Sequence, residues 1–268
     1  MTNDIVVIAW NGSDEPLKYI DFDNDLDFDL ILFNYSGNGK MPELSNGKSV
    51  HQLISVKTEF KGQLLYQVCK HVQATTYRYI GLLDDDQSIS VSSINLTLRM
   101  AEKHGFDVFH PSISDKSYCS YDFFKQRKEI EFEYVAWVEI MAPFYRKAVF
   151  EAGLEFYKDN ISSYGIDCYL IPFLQRKLSL TQTALVHTVS IEHLKPVTDA
   201  SKVFSNGFDA RQEMENLRLL VLSRIKSEKV HFDEVSFKQL YHVGIFRWEK
   251  WKFDIKRFLQ SEKIFIFQ

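Results

Sequence analysis

The chain has 268 residues, 45% hydrophobic and 25% charged, an ordinary globular composition with enough apolar material for a substantial core. A net charge of −4 gives it no basic footprint, so nucleic acid is excluded as a partner by expectation. Met1-Thr2-Asn3-Asp4 has no basic and apolar leader, and no stretch reaches the roughly 18 to 20 apolar residues of a spanning helix, which argues against a secreted or embedded protein. Cys69, Cys119 and Cys168 are odd in number and form no CxxC pair, so they read as reduced thiols of a cytoplasmic protein. The 22 Phe and 13 Tyr supply core area, and also surfaces on which sugars or partners stack.

The first predicted element is a strand over Ile5 to Ala9, a β-branched apolar run stopped by the loop signal Trp10-Asn11-Gly12-Ser13. Asp21, Asp23, Asp25, Asp27 and Asp29 follow without the glycine and closing glutamate of an EF-hand loop, and read as a solvated lead-in rather than a calcium site. A second strand, Leu30 to Phe33, ends at Asn34-Tyr35-Ser36-Gly37. Leu64, Leu65, Val68 and Val72 fall at helical spacing and predict a helix from about Glu59 to Val72.

Tyr79-Ile80-Gly81-Leu82-Leu83 then runs straight into Asp84-Asp85-Asp86. An unbroken apolar run is what a strand covered on both faces requires, so the three acids fall at a buried strand's carboxyl end. If the chain stays extended through them, Asp84 and Asp86 point to one side and Asp85 to the other. Carboxylates held together repel unless a cation lies between them. A hard divalent ion, Mg2+ or Mn2+, fits that need, and a solvated acidic turn fits the same residues. Ser88 to His104 predicts a helix stopped by Gly105, and Asp107 to His110 a short strand ending at Pro111. Alternating strands and helices predict a mainly parallel α/β sheet, whose ligands sit beyond the carboxyl ends of its strands. Trp10-Asn11-Gly12, Asn34-Tyr35 and Asp84 to Asp86 all fall at that edge.

From Ser117 the texture changes. Tyr118 to Gln126 and Ile130 to Val138 alternate as two antiparallel strands would, around Arg127-Lys128. A helix over Tyr145 to Tyr157, an apolar helix from Cys168 to Leu174 and a last strand over Thr183 to Val189 follow. Val197 to Asp209 reads as a linker, dividing the chain into a domain over 1–196 and a helical extension over 197–268. The extension turns helical near Ala210. Its Ser236 to Leu259 stretch interleaves Phe237, Trp248, Trp251 and Phe258 with Arg247, Lys250, Lys252 and Lys256. That pattern suits a cap on the core, a homodimer interface or peripheral contact with an anionic membrane.

An acid-tipped α/β half followed by a mixed half with further acids and histidines resembles the GT-A fold of nucleotide-sugar glycosyltransferases. In those enzymes an Asp-x-Asp motif follows an apolar strand, as Leu82-Leu83-Asp84-Asp85-Asp86 does here. More narrowly, the chain is similar to a family of glycosyltransferase-like proteins of bacteria and plants in three further stretches. These are His110-Pro111-Ser112-Ile113-Ser114, Val138-Glu139-Ile140-Met141-Ala142-Pro143-Phe144, and Tyr164-Gly165-Ile166-Asp167 followed by Val186-His187-Thr188 and His193. The likeness covers about Ile5 to Pro196. Where the family pattern has an aspartate after the valine of the late strand, this chain has His187. The resemblance implies a GT-A-like mixed α/β sheet with a Rossmann-like amino-terminal half flanked by helices, and leaves the carboxy-terminal helical extension outside it.

It also implies roles. Mn2+ or Mg2+ would sit on Asp86 and Asp84 with His193, or with His187 in its place, and offset charge on a departing nucleoside diphosphate. Trp10, Asn11 and Gly12, with Asn34 and Tyr35, would take a uridine-like base and its ribose, bordered by Asp84 and Asp85. Lys57 and Lys61 would reach phosphate, Lys61 the better placed because Gly62 permits close approach. Asp167, at a helix start whose dipole favours the ionised form, would take the acceptor's proton. Glu139, an acid inside an apolar run, would bind acceptor or join the catalysis unless Arg146 or Arg127 pairs with it. Each residue also has a plainer reading: Trp10 as core, the lysines as solvated, Asp167 as a helix-start acid, the histidines as structural.

The function expected from this set is metal-dependent transfer of a sugar, a hexose foremost, from a nucleotide-sugar donor such as a UDP-sugar. The acceptor would be a saccharide or lipid-linked glycan in bacterial surface polysaccharide assembly, in the cytoplasm or at the inner membrane face. A metal-dependent nucleotidyl or phosphoryl transferase would also cluster carboxylates on strand ends, but calls for a further acid pair or a glycine-rich phosphate loop. A non-catalytic module that binds nucleotide-sugars or glycans is the third reading.

Overall fold

The computed structural model describes residues 4–44, 47–196 and 200–232. Its strands are β1 (Asp4–Trp10), β2 (Ile20–Asp21), β3 (Asp29–Asn34), β4 (Gln52–Ser55), β5 (Tyr79–Leu83), β6 (Gln87–Ser90), β7 (Val108–Ile113), β8 (Phe132–Tyr134), β9 (Phe144–Arg146) and β10 (Thr183–His193). The helices are α1 (Lys61–Val72), α2 (Val91–His104), α3 (Lys147–Glu151), α4 (Leu154–Tyr157), α5 (Ile171–Leu178) and α6 (Ala210–Ser227). The strands form one mixed sheet in the order β2-β6-β10-β7-β9-β5-β1-β3-β4, with β8 paired to β10 beside that path.

The β5-β1-β3-β4 half is parallel. Every residue of β1 and β5 is buried, which is why these stretches read as unbroken apolar runs: a strand covered on both faces has no polar side to alternate with. Trp10 pairs with Asn34 and Ile8 with Leu83, so the three strands stop side by side. Their polar ends share one edge of the sheet.

The other half departs from the expectations. Residues 144–146 are a strand, β9, wedged antiparallel between β5 and β7, and the helix expected from Tyr145 starts only at Lys147. Sheet pairing wins there because the Arg146 N–H donates to the Asp107 carbonyl at 2.6 Å and its guanidinium pairs with the Asp107 carboxylate. That helix also breaks in two at Gly153, where any side chain would collide with the Tyr157 ring. Ser88 to Ser90, expected to open α2, belong to β6 instead, and the helix begins behind Ser90, whose hydroxyl accepts from the Ser93 N–H. Gly105, at φ 71°, ends α2 as the glycine stop requires.

The predicted hairpin between Tyr118–Gln126 and Ile130–Val138 does not form. Phe132–Tyr134 alone is a strand, pairing with β10, and residues 114–126 wrap the carboxyl end of β10 as a loop. The alternation in this loop has another purpose: Tyr121, Phe123 and Phe124 all pack on Trp137. β10 runs four residues past its expected end, through a bulge between Val186 and Ser190, and carries His193 as its last residue.

α6 lies against the core. Its buried Glu213 accepts from the N–H groups of Ile161 and Ser162 and from Asn206 Nδ2, while Phe204 packs on Phe60. Asp209 and Gln212 cap the helix reciprocally. The aromatic and basic stretch Ser236 to Leu259 lies outside the described residues. Among those described, no helix is long and apolar enough to cross a membrane.

Candidate active site

Strand β5 stops at Leu83, so Asp84 to Asp86 occupy a turn and the expected two-sided alternation does not hold. The three carboxylates go to three different partners. Asp84 accepts from Lys61 Nζ at 2.5 Å, Asp85 from the Tyr35 hydroxyl at 2.5 Å, and Asp86 faces His193 Nε2 at 3.3 Å. Burial pushes the Asp84 carboxyl up to about 6 despite the Lys61 charge. Burial acts on Asp86 in the same direction, but the His193 hydrogen bond and charge outweigh it and hold this carboxyl below its ordinary value.

His193 is held by the 114–126 loop. Its N–H donates to Ser117 Oγ, its carbonyl accepts from the Tyr118 N–H, and its Nδ1 lies 2.9 Å from the Tyr118 carbonyl. A carbonyl only accepts, so Nδ1 carries the proton. Nε2 then turns a bare lone pair toward the Asp86 carboxylate unless a second positive charge lies there. A proton supplies it in the imidazolium form: burial disfavours that charge, Asp86 more than compensates, and the ring titrates above its ordinary value. A divalent ion would satisfy the same pair, with the Tyr118 carbonyl as the outer partner that metal-bound histidines use. Asp86 and His193 thus fit a metal as a two-ligand set. Among the described residues no group of three or more His, Cys, Asp or Glu side chains forms a metal cage.

The other acids come from irregular chain. Glu139, between β8 and β9, is 7% exposed, and among the described residues no hydrogen-bond partner reaches its Oε2. Neither arginine pairs with it: Arg146 is taken by Asp107 and Arg127 by Glu133. Burial, with Asp167 adding its charge, pushes Glu139 up to about 8, so it is protonated at neutral pH. Asp167 sits in a π-helical turn, Ile166–Leu170, and accepts from the Cys168 N–H at 2.8 Å. Burial raises it to about 6, so desolvation outweighs the helix-start effect expected from sequence. The turn is reached through Ser163 at φ 70° and Gly165 at φ 82°, a left-handed path unusual for serine that the Asn160 side chain fixes by accepting from the Ser163 N–H. Glu213, which the sequence does not single out, holds the first two N–H groups of that loop.

The remaining candidates are dispersed. Trp10 is 2% exposed with its indole N–H bonded to the Ser13 carbonyl, so its ring is core and not an open stacking surface. Asn11 Oδ1 accepts from the N–H and hydroxyl of Ser13, and Gly12 turns at φ 91°. Asn34 is fully buried and closes its own loop, accepting from Ser36 and donating to the Asn38 carbonyl. Lys57 is exposed, its backbone against Gly37. Lys61 is 11% exposed at its side chain and also donates to the carbonyls of Ile140 and Met141. The close approach at Gly62 is to the backbone of Asn160, with Gly62 N–H bonded to Ile161, and not to a ligand. His187 is turned elsewhere: Nδ1 accepts from the Arg127 N–H and Nε2 meets Glu133, clamping residues 127–133 onto β10. His110 lies inside the sheet, pushed down to about 4 by burial.

No protein-family model matches this sequence, and no curated protein is significantly similar to it. Solved structures do share its fold. Residues 1–349 of S. aureus TarS in complex with UDP-GlcNAc match with a TM-score of 0.59 at 10% identity, over 90% of this chain and 70% of that one. The architecture is GT-A-like. A second structure of TarS 1–349 matches at 0.57, over 88% of this chain and 69% of that one, and a structure of S. aureus TarS at 0.56, over 89% and 42%, both at 10% identity. At that identity the likeness is one of fold, and the chemistry has to be argued from this chain's own side chains.

Proposed function

We propose that the protein is a glycosyltransferase that takes a sugar, a hexose foremost, from a nucleotide-sugar donor and passes it to a saccharide or lipid-linked glycan acceptor. A UDP-sugar is the favoured donor, and a divalent ion held by Asp86 and His193 is part of the proposal. One observation carries it: the Asp86–His193 pair and two buried, raised carboxyls, Glu139 and Asp167, come together at the carboxyl edge of a GT-A-like sheet. The likeness to TarS, a glycosyltransferase seen with UDP-GlcNAc, supports the donor class. The cytoplasmic side of a bacterial membrane, where surface polysaccharide is assembled, is the setting that goes with such an acceptor.

The reaction forms a bond between the acceptor oxygen and the anomeric carbon, and breaks the bond from that carbon to the diphosphate oxygen. Asp167, raised to about 6, is ionised at neutral pH yet basic enough to accept the hydroxyl proton, the balance a general base requires. Glu139 is neutral there and donates a hydrogen bond, so it orients the acceptor without repelling Asp167. When bound, the divalent ion would offset the negative charge that develops on the departing diphosphate. Asp85, fixed by Tyr35, would border the bound nucleotide.

The test is a thermal-shift and calorimetric series with UDP, GDP, CDP and dTDP, with and without Mn2+. The expected result is Mn2+-dependent stabilisation by a nucleoside diphosphate that disappears in Asp86→Ala and His193→Ala. Unchanged Mn2+ and UDP binding in Asp86→Ala would sink the metal site.

A further inference from the structure

A donor diphosphate is itself an anion, and it would come to a sheet edge that already carries the carboxylates of Asp84, Asp85, Asp86 and Asp167. Something cationic from the protein has to meet it. Lys61, the lysine to which the sequence points most directly, is already committed: its ammonium is nearly buried and spans Asp84 and two backbone carbonyls. Lys57 is exposed behind the Gly37 turn, away from the Asp86–His193 pair in the chain and bonded to neither.

The fold brings up a different lysine. β10 pairs antiparallel with β6 at Glu192 and Ser88 and at His193 and Gln87, and the chain does not turn away afterwards. The Leu194 N–H donates to the Asp86 carbonyl at 3.0 Å, so the segment that leaves β10 is tied to the acidic turn. Lys195 comes next, exposed, with Pro196 behind it. Lys195 thus follows directly on the residue bonded to the Asp86 backbone and stands two residues past His193, whose ring faces the Asp86 carboxylate. An exposed lysine beside a single carboxylate contributes little to stability, so its position has no strong structural explanation.

We propose that Lys195 binds the diphosphate of the donor and carries part of the leaving group's charge, a role that rests on the nucleotide-sugar reading above. Lysine suits this as a compact point charge on a flexible stem that can follow the diphosphate as it departs. Lys61 then serves as an internal strut that neutralises Asp84 and ties the acidic turn to the Glu139 segment.

Calorimetry with Mn2+ present tests this on wild type, Lys195→Ala and Lys195→Arg, using whichever of UDP, GDP, CDP and dTDP binds wild type most tightly, together with its nucleoside. Because Lys195 is exposed, the variants should keep the wild-type circular dichroism spectrum and melting temperature. Lys195→Ala should bind the diphosphate about tenfold more weakly and the nucleoside within about twofold of wild type, with arginine restoring most of the loss. Diphosphate affinity within about twofold of wild type in Lys195→Ala would overturn the assignment, as would an equal loss for the nucleoside. If wild type binds none of the four diphosphates, the donor reading itself fails and the role of Lys195 goes with it.

Discussion

The two halves of the sheet build their polar edges by opposite means. In the parallel half β1, β3 and β5 are apolar along their middles, and the polar groups of the candidate site appear only where they stop. The loops after β1 and β3 are closed by their own neighbours, Asn11 by Ser13 and Asn34 by Ser36 and Asn38. In the mixed half the polar groups lie inside the protein, and partners far away in the chain hold them: Glu213 for Ile161 and Ser162, the Tyr118 carbonyl for His193, Asp107 for Arg146. A local loop survives most changes elsewhere. A buried group with distant partners depends on the whole fold, and carboxyls so placed are pushed up: Glu139 and Asp167 in the mixed half, and Asp84 at the end of β5.

The contrast is tested most severely at Asp167. Asp167→Asn removes the proposed proton acceptor while keeping the side chain's shape, and on that proposal UDP-sugar turnover should fall by about a hundred- to ten-thousandfold with UDP affinity retained. Single-turnover rates beside calorimetry separate the two quantities, and a loss confined to UDP binding would move Asp167 to the donor side. In the wild type Asp167 loses its charge as pH falls through about 6, so if it is the base kcat/KM should drop roughly tenfold per pH unit below that point. Asp167→Asn should lack this acid limb.

Lys61 links the halves, so its loss should be felt in both. Lys61→Ala strands the Asp84 carboxylate and should cost about 3 kcal/mol in urea unfolding, less than a fully buried pair because Asp84 retains some solvent contact. Combining it with Asp84→Asn should recover much of that cost; simple additivity in the double-mutant cycle would mean that the pair is effectively solvated. Glu213→Ala, on α6, leaves two buried N–H groups without their acceptor and should cost about 2 kcal/mol. Faster amide exchange at Ile161 and Ser162 would locate the effect, and unchanged exchange would detach α6 from the Asp167 loop.

One expected effect has the opposite sign. Glu139 holds its proton up to about pH 8 in the folded state, against an ordinary 4.5, so the unfolded chain releases a proton that the native state keeps. Its contribution therefore turns destabilising as pH rises from about 4.5 toward 8. Glu139→Gln should leave stability unchanged near pH 4 and raise it at pH 8, while lowering turnover. A melting-temperature gain independent of pH would mean that Glu139 is not held neutral.

Patterns that live within a few residues were legible without coordinates. β1, β3 and β5 are continuous apolar runs because both of their faces are covered, α1 shows its buried stripe, and Gly105 marks the end of α2. The convergence of strand ends follows from parallel order alone. What failed was every reading in which local propensity met a distant partner. Tyr145 has good helical neighbours but pairs across the sheet, and the alternating residues after Tyr118 look like a strand yet wrap Trp137 as an aromatic loop.

The site divides the same way. The sequence by itself determined that acids gather at the end of β5 and that Glu139, Asp167 and His193 are worth considering. Only the tertiary structure decided their partners: Lys61 for Asp84, Tyr35 for Asp85, His193 for Asp86, an interior place for Trp10, a separate clamp for His187, and a backbone bond that ties Leu194, just before Lys195, to the acidic turn. The reason is physical. Residue type sets which charge a side chain can carry, but the neighbours that desolvate it or pair with it come from segments tens of residues away, and those neighbours determine what the charge does.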